Sequence, residues 1–152
     1  MFAAFLCHLP EKYSMILRAS LFAFAVLLSV AATAGDFTPG VAINDAAKIS
    51  DPESTKFFTT VVYPGKKKGK TINAIAGALM GAEKDRANIA FIGEDFKLTA
   101  ELLQITLEMF PANSLKGVTV LYVGEVDHLD DMTSAATAAG AVFRATKYSG
   151  AR

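Results

Sequence analysis

The sequence predicts a small α/β domain built around a mainly parallel sheet, and three observations support this fold class. Four short runs rich in β-branched and aromatic residues each end in an aromatic-x-glycine triplet, for example Phe91–Gly93 and Tyr122–Gly124. Segments with apolar residues at helical spacing separate these runs. The triplets recur at intervals close to the length of one strand–helix–strand step. Strands that alternate with helices in this way favour a parallel sheet covered by helices.

The strand-like runs define the sheet. They are predicted over Phe57–Tyr63, Asn88–Ile92, Val118–Val123 and Val142–Tyr148. The second and third runs are continuously apolar, which is typical of strands buried on both faces. Residues Gly35–Ser50 are expected to add a fifth strand near Val41–Ile43 or to pack along an edge. The fold class is therefore a small three-layer, Rossmann-like α/β domain with four to five strands and helices on the faces of the sheet.

The glycine at the end of each strand-like run also needs an explanation. An aromatic residue there would close the end of the sheet. The glycine two positions later is expected to permit a tight turn into the next helix.

Two helices are predicted between the first three strands. Apolar residues from Ile72 to Met80 fall at i, i+3, i+4, i+7 and i+8, and Gly81 is expected to end this helix. The second helix is expected to begin after Asp95 as its N-cap and to stop before Pro111. Its apolar face is predicted to contain Leu98, Leu102, Ile105 and Met109, widened by Leu103, Leu107 and Phe110.

A third helix is predicted between the last two strands. Leu129, Met132, Ala136 and Ala139 share one face, and Gly140 follows as the C-terminal cap. Asp127 is the expected N-cap, and Asp130 and Asp131 suit the positive N-terminal end of the helix.

Residues Met15–Ala34 have the three parts of a secretory signal peptide. Arg18 supplies the positive start, an apolar run follows, and small residues at Ala32 and Ala34 precede Gly35. The run is too short and too diluted by hydroxyl residues for a confident membrane span. We therefore expect residues 1–34 to be removed and residues 35–152 to form one domain. Residues 1–14 are either a mis-annotated start ahead of Met15 or a long front end of the signal, and both alternatives give the same mature chain.

Export limits the chemistry that the mature chain can perform. Cys7 is the only cysteine and lies in the removed segment, so no disulfide, thiol nucleophile or thiolate ligand remains. The chain carries 15 basic and 15 acidic side chains, and this balance does not suggest nucleic acid as a partner. No cofactor and no metal site are expected. The location is predicted to be periplasmic or secreted, without membrane attachment after cleavage near Ala34.

The loop after the first strand is the candidate ligand-binding segment. It resembles a phosphate-binding P-loop because it ends in Gly69-Lys70-Thr71, but Pro64 stands where the first glycine is required. Export also removes the loop from the cytoplasmic nucleotide pool. Two interpretations stay open: a looser anion site at a helix N-terminus, or a solvated turn whose lysines discourage edge association. The residues concerned are Lys66, Lys67, Lys68, Lys70 and Thr71.

Acidic residues and one histidine follow the next two strands. Glu94 and Asp95 come after the second strand, and Asp127 and His128 come after the third. In parallel sheets, ligands usually bind beyond the carboxyl ends of the strands, so these groups are the candidate catalytic residues. One histidine with scattered carboxylates matches no specific metal signature.

The sequence is compatible with two functions from different classes. The first is a non-enzymatic exported domain that binds a protein partner or a small anionic ligand. The alternative is a small exported hydrolase or transferase with its site at the strand carboxyl ends. Convergence of the polar loops in one pocket, with His128 in hydrogen-bond reach of a carboxylate, would favour the enzyme.

Overall fold

Four parallel strands form a single sheet in the part of the chain that the computed structural model describes, residues 36–150. The strands, in both chain order and spatial order, are β1 (Phe57–Val62), β2 (Asn88–Gly93), β3 (Thr119–Gly124) and β4 (Val142–Lys147). The helices are α1 (Pro39–Lys48), α2 (Lys68–Asp85), α3 (Phe96–Glu108) and α4 (Asp130–Ala139). The α/β fold class is confirmed, and each predicted strand is placed to within one residue at either end.

The two faces of the sheet are covered unequally. Each strand pairs with the next one in the chain, and right-handed crossovers that always step in the same direction place their helices on one face. The larger core accordingly joins α2, α3 and α4 to that face, with Leu79, Leu103 and Ala136 fully buried. On the opposite face α1 packs through Ala42 and Ala46 against β2 and β3. The architecture is therefore three helices, sheet, one helix.

The expected fifth strand near Val41–Ile43 is wrong, because this segment belongs to α1. Pro39 occupies the first turn, where its missing N–H costs nothing. Ala42, Asp45 and Ala46 are buried and lie at helical spacing, i, i+3 and i+4. Three consecutive apolar residues at 41–43 suggested a strand. A helix forms instead because it places Ala42 and Ala46 on the same face, against the sheet.

The end of α2 also differs from the prediction. Gly81 lies inside the helix, which continues to Asp85 and ends at Arg86 in the left-handed conformation. The additional turn buries Ala82, which continues the apolar face of Ile75 and Leu79. Burial of this face outweighs the weak helix propensity of the glycine.

The buried face of α3 matches the predicted one in part. Leu102, Leu103 and Leu107 are buried as predicted, but Met109 is 64% exposed and the face also includes Thr99 and Thr106. Both threonine hydroxyls donate to carbonyl groups one turn earlier in the chain, at 2.7 Å, so their burial leaves no polar group unsatisfied. Asp95 is confirmed as the N-cap, since its carboxylate accepts from Leu98 N at 2.9 Å.

The start of α4 corrects one further prediction. Leu129 is the N-cap and Asp127 does not cap the helix, because His128 adopts a left-handed conformation with φ 59° that turns the chain between them. Asp130 and Asp131 lie in the first turn as predicted, and Gly140 ends the helix with φ 89°.

Three of the four strand-end glycines are required for space, and one is required for a turn. Gly93 and Gly124 do not have positive φ angles. A Cβ atom on Gly124 would collide with the phenol of Tyr122, one on Gly93 with the Thr99 hydroxyl, and one on Gly150 with the ring of Tyr148. Gly65, in contrast, has open space around it and a φ of 85°, so only this glycine serves the predicted tight turn into the next helix.

The predicted signal peptide, Cys7 and the cleavage point near Ala34 lie outside the described residues. Within residues 36–150 no helix combines the length and apolarity that crossing a bilayer requires.

Candidate functional site

The carboxyl ends of the four strands meet at one edge of the sheet, as parallel pairing requires. The polar loops that follow them do not form one pocket. Lysines after β1 line a groove on the outer side of that strand, whereas the acidic residues after β2 and β3 line two separate clefts. The edge is therefore divided by charge.

The basic groove lies between β1 and the first turns of α2. Its volume is about 480 Å³, and its floor is apolar where Val62 faces Ile75. We use the name basic groove for the surface formed by Thr60, Val61, Val62, Tyr63, Lys66, Lys67, Lys70, Thr71, Ala74 and Ile75.

The lysines of the predicted segment are not equivalent. Lys68 turns towards α3 and pairs with Glu101 at 2.6 Å, so it lies outside the groove. Lys66, Lys67 and Lys70 form no ion pair with any described residue. Lys66 Nζ lies 5.0 Å from the centre of the exposed Tyr63 ring, an arrangement in which the ring attracts the cation. Three positive charges therefore remain without a described counter-ion beside one groove.

The N-terminus of α2 adds donors to the same place. Lys67 is the N-cap and supplies no side-chain cap, and the first turn contains no acidic residue. Lys70 N and Thr71 N donate to Lys67 O, whereas the N–H groups of Lys68 and Gly69 have no acceptor among the described residues. Unpaired N–H groups at a helix N-terminus favour negative charge nearby.

Thr71 gives the groove a neutral polar group. Its side chain is 8% exposed and lines the groove. Thr71 N donates to Lys67 O in the first turn of α2, so its hydroxyl adds a neutral polar group beside the lysines of the groove.

Glu94 and Asp95 line a cleft of about 430 Å³ with Pro64, Lys97 and Glu125. The Asp95 carboxylate accepts the N–H of Leu98 as the cap of α3, which accounts for this side chain structurally. The two adjacent carboxylates are exposed, so water screens both charges.

Asp127 and His128 line a different cleft of about 470 Å³ between α3 and α4. His128 is exposed and makes no hydrogen bond or ion pair with any described residue. Glu125 and Lys97 border both acidic clefts, but neither lines the basic groove. His128 therefore does not form, with any described carboxylate, the hydrogen-bonded pair that would favour the hydrolase or transferase alternative. No group of three or more potential metal ligands occurs in the same residues.

Sequence reasoning missed Asp45, the one buried carboxylate among residues 36–150. Its oxygens accept from Lys48 Nζ at 2.8 Å, from Ser149 N at 2.8 Å and from Ser149 Oγ at 2.9 Å. The bond from Lys48 is the main reason that the pKa of Asp45 lies below its ordinary value, and it outweighs the opposing effect of burial. The spacing of Asp45 and Lys48 was the available signal, but the partner at Ser149 is distant in the chain. This network joins α1 to the segment after β4.

The edge residues of the basic groove were missed for a different reason. Thr60 and Tyr63 were placed in the predicted strand Phe57–Tyr63, and only the order of the strands shows that β1 lies at an open edge.

Comparisons with models of protein families, with curated proteins and with solved structures find no match to this chain.

Proposed function

We propose that this chain is an exported, non-enzymatic binding domain that recognises an acidic partner through the basic groove. The observation that carries the proposal is the set of three lysines, Lys66, Lys67 and Lys70, that border one groove without a described counter-ion. Lys56 and Lys68, in contrast, are each paired with a carboxylate. Charges grouped in this way attract and orient an oppositely charged partner.

The form of the groove supports a polypeptide rather than a small ion as the partner. The groove combines its basic rim with an apolar floor, and it extends along the last residues of β1. A small anion would use the lysines and the helix N-terminus and leave the floor empty. An acidic polypeptide would use both, since apolar contact contributes affinity and charge contributes specificity. The signal-peptide pattern of Met15–Ala34 supports a partner outside the cytoplasm.

Calorimetric titration of the full-length chain tests this proposal with two probes, a short polyglutamate peptide and inorganic phosphate. We expect the peptide to bind more tightly than phosphate. The affinity for the peptide should fall as salt is added, because salt screens the charges. Replacing Lys66, Lys67 and Lys70 by Gln should reduce peptide affinity by roughly tenfold or more.

The matched control removes the same charge elsewhere. Lys84, Lys116 and Lys147 are exposed and unpaired with any described residue, and none lines the groove. Changing these three to Gln should leave peptide affinity close to that of the wild type. Equal losses in both triple variants would show that net charge, and not the groove, attracts the peptide. Absence of peptide binding by the wild type would refute the proposal.

A further inference from the structure

The backbone of β1 has an open side. Asn88 N donates to Lys56 O at 2.9 Å, and in a parallel pair alternate residues direct both N–H and C=O towards the same neighbour. Phe58, Thr60 and Val62 therefore bond to β2. Phe57, Thr59 and Val61 direct their backbone groups away from the sheet, where no described strand pairs with them.

The two edge strands are protected differently against pairing. The sequence of β1 contains no charged residue and no proline, and Phe57 and Phe58 are 36% and 40% exposed. The sequence of β4 at the opposite edge includes Arg144 and Lys147. Natural sheets usually shield an open edge with charges, prolines or bulges, so β1 has the character of an edge that accepts a strand.

The surfaces above and below the open edge differ in chemistry. Phe57 and Val61 share the face of the sheet that α1 covers, as the strand alternation requires. On the other face, α2 places Lys70 beside the edge, and Lys66 and Lys67 lie in the loop that connects β1 to α2. Phe58, Thr60 and Val62 share this face, so a strand added here would contact apolar side chains on the α1 face and, on the α2 face, cations beside the apolar floor of the groove.

We infer that β1 receives an extended segment of a partner protein as a fifth strand, with acidic side chains on the α2 face and apolar side chains on the α1 face. Strand addition of this kind draws affinity from main-chain hydrogen bonds and specificity from alternate side chains. The inference rests on the proposed function, because it names the partner of the basic groove and how that partner binds. Lys66, Lys67 and Lys70 lie after β1 and not within it, so they do not prevent a strand from pairing with β1. Their positive charge favours an added segment with acidic side chains.

A second copy of this chain fits the edge less well. Two β1 strands paired about a two-fold axis would place the basic groove of each copy near the start of the partner's β1. That end carries Lys56, already paired with Asp85, and Arg86, whose carbonyl accepts from Ser54, so these two cations largely offset the nearby Asp51, Glu53 and Asp85. The three groove lysines would find little excess negative charge there. An acidic segment from another protein would instead place negative charge beside the three groove lysines.

The test uses a capped peptide of alternating Glu and Val, which presents one acidic and one apolar face in either orientation. In the full-length chain, the peptide should slow hydrogen exchange at the amides of Phe57, Thr59 and Val61. A peptide of equal charge with proline at its centre should bind roughly tenfold more weakly or worse, because it cannot continue the ladder.

Variants of the protein provide the second measurement. Thr59→Pro removes an outward N–H without breaking a hydrogen bond to β2. It should lower the affinity for the alternating peptide by roughly tenfold. Ala145→Pro is the matched control at the opposite edge: because Val142 N bonds to Val118 O and Tyr148 N to Gly124 O, the N–H of Ala145 also points outward. This control should leave peptide affinity unchanged.

The outcomes separate the two proposals. If polyglutamate still binds through the lysines but the proline peptide binds as well as the alternating one, strand addition is refuted and the basic groove remains an acidic binding site. If neither acidic peptide binds, both proposals are refuted. Protection of the β1 amides without peptide, together with a dimer by sedimentation, would replace the partner segment with a second copy.

Discussion

At the scale of single residues, the aromatic-x-glycine triplets show how one missing side chain completes the core. The Tyr122 hydroxyl donates to Phe96 O at 3.0 Å, and its buried ring lies over Gly124. The tyrosine thus fixes the start of α3 relative to the end of β3. The glycine is needed because a Cβ atom would occupy the position of the phenol.

We therefore predict that Gly124→Ala lowers the free energy of unfolding by about 1–3 kcal/mol, the usual cost of overpacking. The penalty should shrink in a Tyr122→Leu background, in which the tip of the ring is absent. Chemical denaturation of the two single variants and the double variant measures this coupling.

Gly77→Ala is the matched control for this substitution. Gly77 lies inside α2 with open space around it, so alanine should raise stability by about 1 kcal/mol through helix propensity. Equal costs of Gly124→Ala in both backgrounds would contradict the steric explanation.

At the scale of elements, α1 is held to the sheet by a few specific contacts in addition to its small apolar face. Asp45 binds Lys48 and Ser149, and Thr38 N donates to the Tyr148 hydroxyl at 2.9 Å. Phe37, Phe96 and Tyr148 form a cluster of ring contacts beside the helix. The attachment of α1 therefore depends on an ionised carboxylate.

We predict that this attachment weakens in acid. The pKa of Asp45 in the folded chain lies below its ordinary value of 3.8. Its contribution to stability is therefore complete above the unfolded pKa and is lost as the pH falls through the folded pKa. Denaturation midpoints measured from about pH 5 to about pH 2 should fall less steeply for Asp45→Asn than for the wild type.

Asp45→Asn should also destabilise the chain by about 2 kcal/mol at neutral pH, because the charged hydrogen bonds are lost. Glu53→Gln serves as the control at an exposed carboxylate without a described side-chain partner. The same acid dependence in Asp45→Asn and the wild type would contradict the assignment.

At the scale of the whole molecule, the fold divides its surface by charge and by coverage. Three helices cover one face of the sheet and α1 covers part of the other. The basic groove lies at the β1 edge, and the acidic clefts lie towards β3. A partner that approaches the sheet end therefore meets opposite charges within one small domain, which favours a single orientation.

The proposed export also concerns the whole molecule, and we predict processing between Ala34 and Gly35. Mass spectrometry of the protein recovered outside the cytoplasm should give a chain that begins at Gly35. Ala34→Arg should block this cleavage, because the position before the cut requires a small residue. A recovered chain that still begins at Met1 or Met15 would show that the segment is retained.

The sequence by itself determined the fold class, the positions of the four strands, the cap at Asp95 and the end of α4 at Gly140. These features depend on residues close together in the chain: apolar periodicity, β-branched runs and turn residues act locally. The sequence also pointed to the lysine segment as the place of interest. It could not separate Lys68, which pairs with Glu101, from its neighbours, because that ion pair joins two different helices.

Only the tertiary structure decided the strand order, the single helix on the second face and the separation of the polar loops into a groove and two clefts. Each of these depends on contacts between segments distant in the chain, such as Ser149 with Asp45. Strand order matters most for the proposed function, because it makes β1 an edge. We propose the uncharged strand Phe57–Val62 and the lysines that follow it as a binding surface because no other described strand covers them.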